Sequence, residues 1–203
     1  MNKRYFITGI DTGIGKTLIS AILTEKLQAD YWKPIQSGDL DQSDSLTVAG
    51  LLSNSKSLIY PEQYRLTQAL SPHLSARLDG IDIRLDAFTL PETTNHLIVE
   101  GAGGLLVPLN DTDLILDLIK KLQLETIVVS SHYLGSINHS LLTLEVLKQH
   151  QVPVKGIIFS GAVNLESQQF ILKYSGVNHI GNIPVLSSID KNSIKAAGKN
   201  LNL

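Results

Sequence analysis

The chain has 203 residues, 43% of them hydrophobic and 18% charged, with a formal net charge of −2. That length fits one α/β domain able to bury a core unaided, and the balanced, apolar composition argues against disorder and against nucleic acid as a partner. The absence of cysteine removes disulfide scaffolds, thiolate nucleophiles and zinc ribbons, and no apolar run matches a membrane helix, so a soluble, cytoplasmic domain with no membrane partner is expected.

Residues 1–5 are expected to lead into a strand rather than a signal-peptide core. Residues 5–8 read as that buried strand, ended by Gly9, and from Thr17 the positions Leu18, Ile19, Ile22, Leu23 and Leu27 recur at helical spacing. Residues 31–34 form a short second strand, with Pro34 near its end because proline cannot donate to a ladder. The stretch from 54 to 92 has weaker periodicity, although Ser71-Pro72-His73 starts a helix and Leu78-Asp79-Gly80 ends one. Residues 97–99 are again a buried strand. Leu114, Ile115, Leu118, Ile119 and Leu122 mark a helix, with Asp111, Thr112 and Asp113 as cap candidates.

Residues 126–130 and 154–159 read as strands, 137–149 as a helix apolar over more than one face, and 166–175 as a further helix; residues 179–183 lead into Pro184. Strands apolar on both faces and separated by helices predict an α/β fold, a parallel sheet covered by helices on both faces. No repeat, low-complexity tract or linker interrupts the chain, so residues 1–203 are expected to form a single domain.

The strongest chemical signal is Gly9-Ile10-Asp11-Thr12-Gly13-Ile14-Gly15-Lys16-Thr17 between the first strand and first helix. A glycine-rich turn there lets backbone N–H groups converge on phosphate oxygens at a helix N-terminus, while Lys16 reaches the β- and γ-phosphates and the Thr17 hydroxyl ligates Mg²⁺. Gly9 stands one residue further from Gly-Lys-Thr than in the usual P-loop pattern, so the loop is a variant. The second signal is Glu100-Gly101-Ala102-Gly103-Gly104. A carboxylate ending a central parallel strand points into the ligand crevice, where it can hold Mg²⁺ directly or through water, or else simply close a turn.

The third is Lys33-Pro34-Ile35-Gln36-Ser37-Gly38. A second lysine on the crevice edge is unnecessary for nucleotide but useful if another anion must approach the γ-phosphate. Asp44 either supplies a further carboxylate or caps the helix through Leu46, Val48, Leu51 and Leu52, with Asp39 and Asp41 competing for the role. The histidines have no metal-ligand spacing, and no nucleophile elbow is present.

Together with Ser43-Asp44, Ser71-Pro72-His73, Leu134-Gly135-Ser136-Ile137-Asn138-His139 and Gly181-Asn182-Ile183-Pro184, these blocks resemble the dethiobiotin synthetase family over most of the chain. The resemblance implies a P-loop nucleoside triphosphate hydrolase fold. It also implies an ATP- and Mg²⁺-dependent ligase of biotin biosynthesis, with 7,8-diaminopelargonate and CO₂ as substrates and a homodimer sharing its active site. By matching position, Gly13, Ile14, Gly15, Lys16, Thr17 and Leu18 hold the triphosphate, and Thr17, Asp44 and Glu100 surround the metal. Lys33 and Lys16 are catalytic. Thr12, Lys33 and Ser37 contact substrate, Glu100, Gly101, Ala102 and Gly103 line the site, and Pro184, Val185 and Leu186 lie at the base.

Gly135, Ser136, Ile137 and Asn138 of a second copy would receive the substrate carboxylate. A helix start there favours an anion, although ordinary capping by Ser136 also accounts for it, and the apolar helix behind fits either a partner or deep burial in one chain. Where the family has Asn-Asp at the base, this chain has Ser160-Gly161, and an expected acidic residue is replaced near Ser188, so other nucleoside triphosphates besides ATP are expected to serve. The principal rival, a dimeric switch ATPase of the partitioning type, carries a signature lysine where Asp11 stands. A cobyrinate-synthase-like amidotransferase needs an appended glutaminase domain for which 203 residues leave no room.

Overall fold

The computed structural model describes residues 2–203; Met1, where the expected lead-in begins, lies outside the described residues. In chain order the elements are β1 (Arg4–Gly9), α1 (Lys16–Leu27), β2 (Asp30–Trp32), β3 (Ile35–Ser37), α2 (Asp44–Leu51), β4 (Ile59–Tyr60), β5 (Tyr64–Leu66) and α3 (Pro72–Asp79). There follow β6 (Leu97–Gly104), α4 (Ile115–Leu122), β7 (Glu125–Ser131), α5 (Ser136–Gln149), β8 (Val154–Ser160), α6 (Leu165–Ser175), β9 (His179–Ile183) and α7 (Lys191–Ala197).

Seven strands form one sheet in the order β4-β2-β6-β1-β7-β8-β9, and every pairing in it is parallel. Its central strands are hidden on both faces: Phe6, Ile7, Leu97, Ile98, Val99, Ile127, Val128, Val129, Ile157 and Ile158 are fully buried, which is why their sequences lack a polar alternation. β6 inserts between β1 and β2, so the chain reverses its direction across the sheet there and opens a crevice beyond the carboxyl ends of those strands. α1 crosses this region, packed against β6, α2 and α7.

Several local expectations change. β2 stops at Trp32, and Pro34 lies between strands; its carbonyl accepts from Tyr64 N at 3.0 Å, beside a separate two-stranded parallel sheet of β3 and β5. Proline cannot continue the β2 ladder, so the chain turns out of the main sheet at Lys33. The strand at 97–99 runs on to Gly104, which places Glu100 mid-strand opposite Ile7. A Cβ on Gly101 would lie 2.7 Å from Phe6 Cε1, so that glycine answers close packing between strands, not access for a ligand. α4 takes its cap from within: Leu114 N donates to the Asp117 carboxylate at 3.0 Å, while Asp113 N and Thr112 N donate to Asn110 Oδ1 in the preceding turn. α5 begins at Ser136, with Gly135 as its cap in the left-handed region at φ 103°, so Ser136 is a buried first-turn residue.

Candidate active site

β1 ends in Gly9 and α1 begins at Lys16, and the loop between them is turned by Gly15 at φ 94°. A side chain there would be strained and would meet Ser160 Oγ at 2.8 Å. Lys16 folds back so that its Nζ donates to the Asp11 carbonyl at 2.9 Å, and the Asp11 carboxylate accepts from Thr12 N at 2.7 Å. Lys16 is buried, and burial lowers its pKa to about 8 despite the nearby Glu100 carboxylate.

Thr17, one residue on, points its hydroxyl at the next strand: Oγ1 donates to Glu100 Oε1 at 2.9 Å. Glu100 is only 1% exposed and receives two further donors, Tyr31 Oη at 2.9 Å on Oε2 and Lys33 Nζ at 3.3 Å on Oε1. Lys33 also forms an ion pair with Asp44, whose backbone N donates to Gln36 Oε1 at 3.1 Å. Asp44 opens α2, but its cap is Ser43, whose Oγ accepts from Leu46 N, so the Asp44 carboxylate is free of capping and faces the cleft. Asp39 also borders the cleft, without an ion pair to Lys33, and Asp41 does not border it. Burial by itself would depress the Lys33 pKa, but Glu100 and Asp44 outweigh it and hold the ammonium above the ordinary lysine value. Burial likewise opposes the Asp44 carboxylate, yet Lys33 holds it below its ordinary pKa.

These groups close one end of a cleft of about 650 Å³, bordered also by Thr12, Gly13, Gly15, Gln36, Ser37, Ala102 and Gly103. Residues 69–72 also border it, although Ser71-Pro72 read only as a helix start and a block of the resemblance, with no site role. Other anticipated residues stand apart. Ile14 is buried against Gly9, Leu18 packs on the core, and the Gly101 carbonyl faces Lys33 at 3.4 Å from behind. Residues 135–138 do not border this cleft; they lie at the start of α5, after the fully exposed Leu134. Pro184, Val185 and Leu186 follow β9 and do not border it either, although Gly161 N donates to the Ile183 carbonyl at 2.8 Å, tying that edge to Ser160 and so to the P-loop. Tyr31 is a further site residue that sequence reasoning missed, because an aromatic in an apolar run reads as core.

The donor set suits a hard cation: one hydroxyl and two carboxylates, all oxygen, match Mg²⁺. Among the described residues no group of three or more His, Cys, Asp or Glu side chains could hold a metal unaided. Such a sparse set fits an ion that shares substrate phosphates and keeps waters. The histidines have other partners; His132 stacks on Phe159, and His139 bonds Tyr133 at 2.7 Å.

A glycine turn at the carboxyl end of a central parallel strand, feeding a helix that opens Lys-Thr, defines a P-loop nucleotide-binding α/β protein. A family model described as an AAA domain matches residues 3–193. Among solved structures, the septum site-determining protein MinD complexed with Mg-ADP from Pyrococcus horikoshii is similar with a TM-score of 0.61 at 13% identity, over 97% of this chain and 86% of that one. A ParA family ATPase from Chlorobium tepidum is similar with a TM-score of 0.56 at 14% identity, over 99% and 100% of the two chains. At those identities the likeness is one of fold. The curated relatives are far nearer in sequence: the ATP-dependent dethiobiotin synthetase BioD of Cytophaga hutchinsonii is 53% identical over 96% of this chain and 94% of its own, and that of Christiangramia forsetii 48% identical over the same shares. The chain belongs to the ATP-dependent dethiobiotin synthetase family.

Proposed function

We propose that this chain joins CO₂ to 7,8-diaminopelargonate at the expense of ATP, closing a cyclic urea to give dethiobiotin. The observation that carries the reading is the buried Lys33 ammonium, fixed between Glu100 and Asp44 at the end of the cleft reached by Lys16. A nucleotide alone needs no second lysine there, whereas a second anion does. One substrate amine attacks CO₂ and, losing a proton, becomes a carbamate. A carbamate oxygen then attacks the γ-phosphorus, and ADP departs. The second amine attacks the resulting carbamic–phosphoric anhydride at carbon, closes the ring, expels phosphate and loses a proton.

Lys16 and the P-loop amides hold the triphosphate, and Lys33 draws the carbamate toward it, so the two anions meet across fixed positive charge. Thr17, Asp44 and Glu100 would hold Mg²⁺, which supplies charge neutralisation on the phosphates when bound. No protein nucleophile is required.

The site reads best as shared between two copies. Leu106, Leu134 and Leu142 are exposed by 58%, 104% and 56%, and an apolar hollow beside α5 is bordered by Leu106, Leu142, Ile10 and also Thr12 of the cleft. A second copy seated there would cover that surface and bring its residues 135–138 toward the substrate carboxylate, with the whole chain acting as one domain. No helix among the described residues is long and apolar enough to cross a membrane. The test is product formation from ¹³C-bicarbonate, diamine, Mg²⁺ and ATP, with the label expected in the ring carbonyl of dethiobiotin. ATP hydrolysis without labelled product would overturn the reading in favour of a switch ATPase.

A further inference from the structure

The carboxylate of Glu100 is divided between two sets of partners. Oε1 faces the cleft side and accepts from Thr17 and Lys33, while Oε2 accepts only from Tyr31 Oη, at 2.9 Å. Tyr31 is fully buried and sits on β2 opposite Ile98 of β6. Glu100 lies two residues beyond Ile98, on the same face of the sheet, so hydroxyl and carboxylate are held by two paired central strands rather than by loops.

We propose that Tyr31 is a positioning residue that makes Glu100 a one-oxygen ligand and thereby sets the site for Mg²⁺ against Ca²⁺. The inference rests on the reading of Thr17, Asp44 and Glu100 as the cation site. Ca²⁺ readily takes both oxygens of a carboxylate and six to eight ligands in flexible geometry, whereas Mg²⁺ demands a near-ideal octahedron and is served by single oxygens. A hydroxyl occupying Oε2 denies the two-oxygen mode and fixes the direction in which Oε1 is presented. Phenylalanine in its place keeps the ring packing but lets the carboxylate rotate and offer both oxygens.

The experiment is calorimetric titration of wild type and Tyr31→Phe with a non-hydrolysable ATP analogue in saturating Mg²⁺, in saturating Ca²⁺ and in EDTA. Wild type is expected to bind more tightly with Mg²⁺ than with Ca²⁺. In Tyr31→Phe the Mg²⁺-supported affinity should fall roughly tenfold, as loss of an outer partner of a metal ligand does, with a smaller change in Ca²⁺ and none in EDTA. A merely structural role would weaken all three together. Equal support by Mg²⁺ and Ca²⁺ in wild type would overturn the proposal without any variant, and an unchanged Mg²⁺/Ca²⁺ ratio in Tyr31→Phe would overturn Tyr31's part alone. Wild-type binding that is the same in EDTA as in Mg²⁺ would overturn the cation site and this inference with it. None of these titrations depends on dethiobiotin being the product.

Discussion

The carboxylate end of the cleft and the edge where β8 and β9 finish are built differently. At the first, five side chains from four elements and the loop after β2 (Thr17, Tyr31, Lys33, Asp44, Glu100) bond one another, with Tyr31, Lys33 and Glu100 buried and Thr17 and Asp44 partly exposed to the cleft. At the second, the polar side chains serve the backbone. Asn164 Oδ1 accepts from Ser167 N to cap α6, and Asp190 caps α7 by accepting from Asn192 N and Ser193 N, while Val163, Val185 and Ile189 stand exposed. Buried charges must be mutually satisfied, so their geometry is fixed before any ligand arrives. An edge of exposed apolar groups and backbone offers contact without direction. On the proposed function, charge chemistry belongs to the first region and tolerant base contact to the second.

The largest expected effect is at the charged end. Lys16→Ala should lower turnover by roughly 10² or more, because the γ-phosphate loses its fixed cation where water substitutes poorly. Near wild-type turnover in a folded Lys16→Ala protein would break the comparison at once. The mutual compensation in this cluster can be read as stability. Lys33→Gln leaves Glu100 and Asp44 facing each other, and breaking such a pair costs about 3 kcal/mol, reduced by whatever exposure Asp44 retains. The Tm should drop by several degrees in EDTA and recover in part with Mg²⁺; a Tm unmoved in EDTA would mean the carboxylates do not depend on Lys33.

Protonation offers a smaller effect of the same origin. Burial lowers the Lys16 pKa to about 8, and a bound triphosphate favours its charged form. Below pH 8 the lysine is already protonated. Above it, binding must take up a proton, so analogue affinity should fall by about tenfold between pH 7 and 9, with proton uptake growing over that window. A flat profile would show that Lys16 stays charged throughout. The smallest effect belongs to the other region. kcat/KM for ATP, GTP and CTP should lie within roughly tenfold of one another, since Ser160-Gly161 supplies few directional side-chain bonds to a base. An ATP preference of several hundredfold would show that the edge does discriminate, through its backbone.

The same contrast governs what the sequence made legible. Long, strictly apolar strands and the Gly-Lys-Thr turn carry local signals: β1, α1, β7, α5 and β8 stand within a few residues of where periodicity puts them, and β6 starts where expected but runs on through the glycines to Gly104. Elements specified by tertiary partners were not legible. β4 has two residues and is fixed only by its pairing with β2, while β3 and β5 have three each and pair where Pro34 turns the chain out of the main sheet. α7 is short and largely polar, and its start is fixed by Asp190 accepting from Asn192 N and Ser193 N, a contact with no apolar period to announce it. In the site, Lys33 and Glu100 were recognisable as charges out of place among apolar neighbours. Tyr31 was not, because its phenol differs from a packing aromatic only through the carboxylate it meets across the strands.

The central claim is that Lys33 acts on a second anion and not on the nucleotide. It is tested most directly by measuring, on the same Lys33→Gln preparation in saturating Mg²⁺, calorimetric binding of the ATP analogue and the rate of dethiobiotin formation. The account expects binding to stay within about threefold of wild type while kcat and kcat/KM fall together by roughly two orders of magnitude, the mark of an interaction made in the transition state. Dethiobiotin formation at the wild-type rate would contradict it, and loss of nucleotide binding would reassign Lys33 to the triphosphate.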